Sequence, residues 1–336
     1  MLRSRNTLAS HTRNGFTLWG VCGVMLLFVI CGPTSLLGDD AAPAAQTTLP
    51  KLEPSQLIPV WPDLAPGEST KHPGTTLPQR ASERPPATRI TDVTQPLLEI
   101  YLPQPVADGM AQKKTPALLI FPGGAYRYVV QDKEGSEIAA WLNRLGITAI
   151  VLRYRSLVPG SKDDNWVRPL QDAQRSLSLI RTQAESLGID PTQIGVIGFS
   201  AGGQLAALSA TRFDARSYDP IDTIDETSCR PDFAMLIYPW QLVEGNSLTL
   251  RDIVTVTPKT PPTFLVHAHD DSSTSFSSIA FYAALKTHKV AAELHLYENG
   301  GHGYGMRPVS GSNIHTWPDR ATDWLTSRHL TPVPTE

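Results

Sequence analysis

The chain has 336 residues, 41% of them apolar and 18% charged, a balance that fits a folded protein and excludes a wholly disordered one. A formal charge of −3 supplies no bulk basic field, which argues against a nucleic-acid partner held by its phosphates. Three cysteines are too few for a disulfide-stapled scaffold, and with Cys22 and Cys31 inside an N-terminal apolar run, Cys229 stands alone in the remainder.

Residues 1–38 read as an export signal. Arg3, Arg5 and Arg13 precede the first acidic residue, Asp39, and the apolar run from Phe16 to Ile30 is broken by Gly32-Pro33. The run is shorter than the ~20 residues of a spanning helix, so cleavage near Gly38 is favoured and retention as a membrane anchor is the alternative. A lipoprotein site at Cys31 is disfavoured by the bulky Phe28-Val29-Ile30 before it. The expected location is therefore outside the cytoplasm, periplasmic or extracellular.

Residues 39–89 change character. Ten prolines between Pro43 and Pro86 leave few aliphatic side chains among them. Proline fixes φ and removes a backbone donor, so this stretch reads as a semi-extended linker, with a short segment around Leu57–Trp61 resting on the domain that follows.

The folded domain is expected over residues 90–330. Strand patterns fall at 97–102, 117–121, 147–152, 194–199, 233–238, 262–267 and 292–297, with a turn over 103–109 after the first. Helical spacing appears at 136–145, at 169–187 with Gly188 at its C-terminal cap, at 201–210 and at 278–286. Unbroken apolar strands alternating with helices predict a doubly wound α/β fold around a mostly parallel sheet covered on both faces.

Gly198-Phe-Ser-Ala-Gly202 matches G-x-S-x-G where an apolar strand meets a helix of small residues, the sharp turn that lifts a serine hydroxyl above a sheet edge. The bland alternative is an ordinary tight turn with Ser200 as a helix cap. A serine nucleophile needs a base and the base an orienting carboxylate. Among the later histidines, His267 and His295 fall in strands as buried structural residues. His302 lies in the glycine-rich Gly300–Gly305 after the last strand, where the backbone can turn sharply toward the sheet edge. Asp270 and Asp271 both follow the strand over 262–267, at its C-terminal end; Asp271 is favoured because the residues after it lead straight into a helix. The order Ser200, Asp271, His302 is that of the α/β-hydrolases. Phe121-Pro-Gly-Gly-Ala-Tyr126 ends an early strand, and the amides of Gly124 or Ala125, with that of Ala201, are candidate oxyanion donors.

With these stretches, Leu152-Arg-Tyr-Arg155, Leu170-Gln-Asp-Ala-Gln-Arg175 and Gly188-Ile-Asp-Pro191, residues 97–326 resemble the esterase branch of the α/β-hydrolase superfamily, near the bacterial acetylxylan-esterase and feruloyl-esterase-like (BD-FAE-like) groups. The resemblance implies Ser200 as nucleophile, His302 as base and Asp271 as orienter, with no cofactor and no metal. Pro122 stands where such esterases carry a histidine, which puts the bracing of that loop in doubt. Arg153, Arg155 and Asp172 are expected to form a structural ion-pair cluster. The implied substrate is a small ester or an acetylated glycan, and a membrane is a partner only if the N-terminal segment is retained.

Other readings compete. His267-Ala-His269-Asp-Asp271 mimics H-x-H-x-D zinc sites, but Ser272 stands where those sites continue with histidine. Prolyl-oligopeptidase-type peptidases share the triad order, usually behind a large propeller. A binding protein with a vestigial triad is disfavoured by the full set of catalytic residue types. A lipase is disfavoured by the polar insert over 213–230.

Overall fold

Apolar runs such as Ile194–Phe199 and Ala234–Ile237 become central strands here because both faces of the sheet are covered, so neither side of these runs meets water. The computed structural model describes residues 52–104, 114–157 and 165–331, all within a compact unit spanning residues 48–336. The predicted export signal, the start of the linker and most of the turn over 103–109 lie outside the described residues.

Sixteen regular elements follow in order among the described residues. The N-terminal part contributes β1 (Gln56–Pro59), β2 (Thr75–Thr76), β3 (Arg89–Thr91), β4 (Leu97–Tyr101), β5 (Thr115–Phe121) and β6 (Val129–Val130). The middle contributes α1 (Glu137–Arg144), β7 (Thr148–Arg153), α2 (Val167–Thr182), β8 (Ile189–Phe199) and α3 (Ala201–Thr211). Last come β9 (Ala234–Ile237), β10 (Thr263–Ala268), α4 (Phe276–Thr287), β11 (Ala292–Tyr297) and α5 (Trp317–Ser327). A single π-turn, Asp132–Ser136, leads into α1.

Eight strands make one sheet in the order β1-β4-β7-β5-β8-β9-β10-β11, with β2-β3-β6 as a small separate sheet. From β7 to β11 every pairing is parallel, while β4 runs antiparallel to β7 and β1 antiparallel to β4. Alternate residues of each strand feed opposite core layers. Leu119 and Phe121 pack with α2, α3 and α4, whereas Leu118 and Ile120 pack with α1 and α5. This is a doubly wound α/β fold. Among the described residues no helix is long and apolar enough to cross a membrane.

The linker reading of residues 39–89 fails over the part that is described. Residues 56–59 form the edge strand of the main sheet, and Trp61 is only 3% exposed. Its indole donates to Asp172 Oδ1 at 2.8 Å, meets Tyr218 edge-on at 4.8 Å and lies beneath the guanidinium groups of Arg155 and Arg175. Proline lacks a donor but keeps its carbonyl. Arg155 donates to Pro66 O at 2.6 Å, Arg153 to Pro73 O at 3.2 Å, and Arg307 to Pro85 O at 2.7 Å and Pro86 O at 3.2 Å. Arginines of the α/β body thus hold a segment too poor in aliphatic residues to dock by apolar burial alone. The folded domain begins before residue 90. Arg155 and Asp172 pair at 2.9 Å, fully buried, while Arg153 turns instead to Glu99, so the expected cluster is two separate pairs.

Candidate active site

The site forms at the C-terminal ends of β8 and β10 and in the loop after β11, where an α/β sheet opens its crevice. Ser200 sits between β8 and α3 at φ 55°, ψ −117°, a conformation costly for a residue with a side chain. Two glycines make the elbow possible. A Cβ on Gly202 would lie 1.9 Å from Phe121 O, and one on Gly198 would lie 1.9 Å from Gly202 O. The Ser200 amide and carbonyl are tied down as well, by Ile237 O and Trp240 N at 3.1 and 3.0 Å.

Ser200 Oγ lies 2.7 Å from His302 Nε2, and His302 Nδ1 lies 2.6 Å from Asp271 Oδ2. With Nδ1–H donated to the carboxylate, Nε2 is free to accept the serine proton. Asp271 Oδ1 accepts from the amide and hydroxyl of Ser273 at 2.7 and 2.8 Å. Burial raises the Asp271 carboxyl, but hydrogen bonds from His267, His302 and the Ser273 amide, with the His302 charge, overcome it and hold the group far below the usual carboxylate range. Asp270 does something else: its Oδ1 accepts from Gly301 N at 2.8 Å and pins the loop that carries His302.

Gly124, Ala125 and Tyr126 all have positive φ, so the chain after β5 folds back beside Ser200. A Cβ on Gly124 would come within 1.9 Å of Tyr128 O, so this glycine cannot be replaced without moving the loop. As the first residue of α3, Ala201 has an amide with no intrahelical acceptor. Gly124, Ala125 and Ser200 line one pocket of about 400 Å³ together with His302 and Trp240. A larger cleft of about 880 Å³ continues past Trp240, Ser272 and Ser273 toward Glu244 and Arg251.

Three residues of the site escape a reading of the sequence. Glu134, in the π-turn and 4% exposed, accepts from Gly123 N at 2.7 Å and from the Tyr238 hydroxyl at 2.9 Å. Tyr238 in turn accepts from Gly305 N at 2.9 Å, so one buried chain of hydrogen bonds joins the Gly123–Ala125 loop to the His302 loop. That supplies the bracing left open by Pro122. His267 is buried, as its strand position suggests, but it also touches Asp271 Oδ2 at 3.0 Å and Ser278 Oγ at 2.8 Å. An acidic residue just before a helix looks solvated in sequence; only the π-turn turns Glu134 inward. His269 is exposed, and among the described residues no three His, Cys, Asp or Glu side chains gather as a metal site.

The BD-FAE family model matches residues 98–236, and the prolyl oligopeptidase family model matches residues 171–328. The solved acetyl ester-xyloside bifunctional hydrolase of Caldicellulosiruptor lactoaceticus is 30% identical, with a TM-score of 0.65 over 83% of this chain and 98% of that one. The chain belongs to the esterases of the α/β-hydrolase superfamily. The acetylxylan esterase of Xylanibacter ruminicola is 27% identical over 215 residues, which are 56% of this chain but 41% of that protein. This chain thus matches less than half the length of that relative. A thermophilic esterase of Thermogutta terrifontis shares the fold at 22% identity, with a TM-score of 0.60 over 72% of this chain and 92% of its own.

Proposed function

We propose that this chain is a serine carboxylic-ester hydrolase that removes acetyl groups from acetylated xylan or a related glycan. The observation that carries the reading is the unbroken line from Ser200 Oγ through His302 to Asp271, at 2.7 and 2.6 Å. In the first half-reaction His302 Nε2 takes the hydroxyl proton as Ser200 Oγ attacks the ester carbonyl carbon. The amides of Ala201 and of Gly124 or Ala125 hold the oxyanion, and His302 returns its proton to the departing sugar oxygen. Water then attacks the acetyl-Ser200 carbonyl with His302 again as base, releasing acetate and restoring the serine. Asp271, kept ionised, fixes the imidazole and stabilises its cation throughout.

The similarity to an acetylxylan esterase and to an acetyl ester-xyloside hydrolase supports the glycan ester, and the polar cleft beyond Trp240 suits an oligosaccharide leaving group. The arginines and apolar run of residues 1–38 support export, placing the reaction in the periplasm or outside the cell, with membrane anchoring as the alternative. The match to the prolyl oligopeptidase family model favours a second reading, a peptidase using the same three residues.

Acetate release from acetylated xylan and from p-nitrophenyl acetate, wild type beside Ser200→Ala, tests the first reading, and a panel of peptide anilides tests the second. Turnover of both esters that disappears in Ser200→Ala is expected. Cleavage of simple esters without acetate from any acetylated glycan would remove the glycan; cleavage of anilides alone would favour the peptidase.

A further inference from the structure

One wall of the 400 Å³ pocket is built by cations from the segment that sequence reads as a linker. Arg80 and Arg89 come from residues 77–91 and Lys133 from the π-turn, and all three line the pocket that holds Ser200 and His302. Glu83 answers two of them, taking Arg89 at 2.6 Å and Lys133 at 3.5 Å. Arg80 is exposed and pairs with no carboxylate among the described residues; its guanidinium donates to the Tyr128 hydroxyl at 3.0 Å.

Arg80 and Arg89 both stand against the Tyr128 ring, their guanidinium carbons 5.9 and 5.8 Å from its centre, so the cations are held in place rather than waving in solvent. Arg89 is 6% exposed, and its Nε has no hydrogen-bond partner. A guanidinium brings five donors, and burying it is costly while its charge is only partly answered. Glu134 lines the same pocket, but its two oxygens are engaged by Gly123 and Tyr238. Three cations thus face two carboxylates beside the serine, Glu83 and Glu134. Of the three only Arg80 lacks an ion-pair partner among the described residues, which leaves one formal positive charge in a chain whose formal charge is −3. The neighbouring cleft has no such excess, since its Arg251 and Glu244 face each other at 3.8 Å.

We propose that Arg80, Arg89 and Lys133 form a subsite for a carboxylate carried by the substrate, so that an ester with an anionic group near the scissile bond is the preferred one. The proposal rests on the esterase reading above. An acetyl group has no use for a cation, so the anion belongs either to a longer acid part or to a uronate on the sugar chain next to the acetylated residue. The shared chemistry is a carboxylate close to the carbonyl, met by a planar, multiply donating guanidinium.

Two matched pairs separate the sources. Monoethyl succinate against ethyl butanoate places the charge on the acid part. Acetylated xylo-oligosaccharides with and without a glucuronic acid branch place it on the alcohol part. Wild type is expected to favour the anionic member of one pair by about ten-fold in kcat/KM, as a hydrogen bond to a charged group would give. The preference should shrink at high salt and the ratio should fall toward one in Arg80→Gln and in Lys133→Gln. Charge reversal in Arg80→Glu should turn it to favour the neutral member. Hydrolysis of the neutral members with no anionic preference in either pair would overturn the subsite alone, as would a preference that survives the Arg80→Gln/Lys133→Gln double variant. If none of the four esters is hydrolysed, the esterase reading falls and takes the subsite with it.

Discussion

His267 Nε2 donates to Asp271 Oδ2 at 3.0 Å, the same oxygen that His302 Nδ1 reaches at 2.6 Å. One carboxylate oxygen thus holds two imidazoles, one at the reacting end and one sealed in the core. Ser278 Oγ lies 2.8 Å from the far nitrogen of His267, so the neutral ring both donates to Asp271 and accepts from Ser278.

That arrangement predicts a pH dependence of stability. Burial pushes the His267 imidazole below its ordinary range, although the Asp271 hydrogen bond and charge pull the other way. The unfolded chain then binds a proton near pH 6.5 that the folded chain refuses, so stability from neutral His267 is complete above about 6.5 and lost as pH falls below it. Asp271 acts lower: its ionised form contributes fully above about pH 4 and fails only in strong acid. Urea unfolding between pH 5 and 7.5, compared with His267→Gln, should show a pH slope that flattens in the variant by at most ~1.4 kcal/mol per pH unit. Equal slopes would mean that His267 titrates as it does in the unfolded chain.

Glu134→Gln should separate catalysis from binding. A glutamine side chain keeps one acceptor where the carboxylate offers two, so either Gly123 N or the Tyr238 hydroxyl loses its partner. The expected result is a kcat lower by roughly ten- to hundred-fold, with KM nearly unchanged. Affinity for a boronic acid that mimics the tetrahedral intermediate should fall in parallel. A change confined to thermal stability would reduce Glu134 to a structural residue.

Gly124→Ala should cost activity more than fold. The added methyl would have to displace Tyr128 O, turning the loop amides away from Ser200. Loss of one oxyanion donor typically lowers kcat by about 10²–10³-fold, and steady-state kinetics on p-nitrophenyl acetate reads that directly.

Trp61→Ala tests whether the proline-rich segment belongs to the domain. The indole is buried and hydrogen-bonded to Asp172 Oδ1, so truncation leaves a cavity and only Arg155 Nε as donor to that oxygen. Chemical denaturation should register a loss of about 3–5 kcal/mol. A loss below about 1 kcal/mol would return the segment to the status of a linker.

The main sheet was legible because its strands are unbroken apolar runs between helices of clear spacing; strands and helices fall within a few residues of their sequence positions from Leu97 to Tyr297. The proline-rich segment was not, because arginines far along the chain grip proline carbonyls, and nothing local announces them. Helix α5 carries its own signal in the sequence: Trp317, Ala321, Trp324 and Leu325 recur at helical spacing and share one buried face. Ser200, Asp271 and His302 stood out by residue type, order and position at strand ends. Glu134, Tyr238 and His267 did not, since each gains its role from a partner brought close by the fold alone.

The central claim is that Ser200 carries the acyl group between two half-reactions. Rapid acid quench of the protein during turnover of p-nitrophenyl acetate, followed by peptide mass spectrometry, reads this most directly. One acetyl on the peptide containing Ser200, absent in Ser200→Ala and accompanied by a burst of p-nitrophenol in wild type, is the predicted result. An acetyl on another residue, or undiminished turnover in Ser200→Ala, would contradict it.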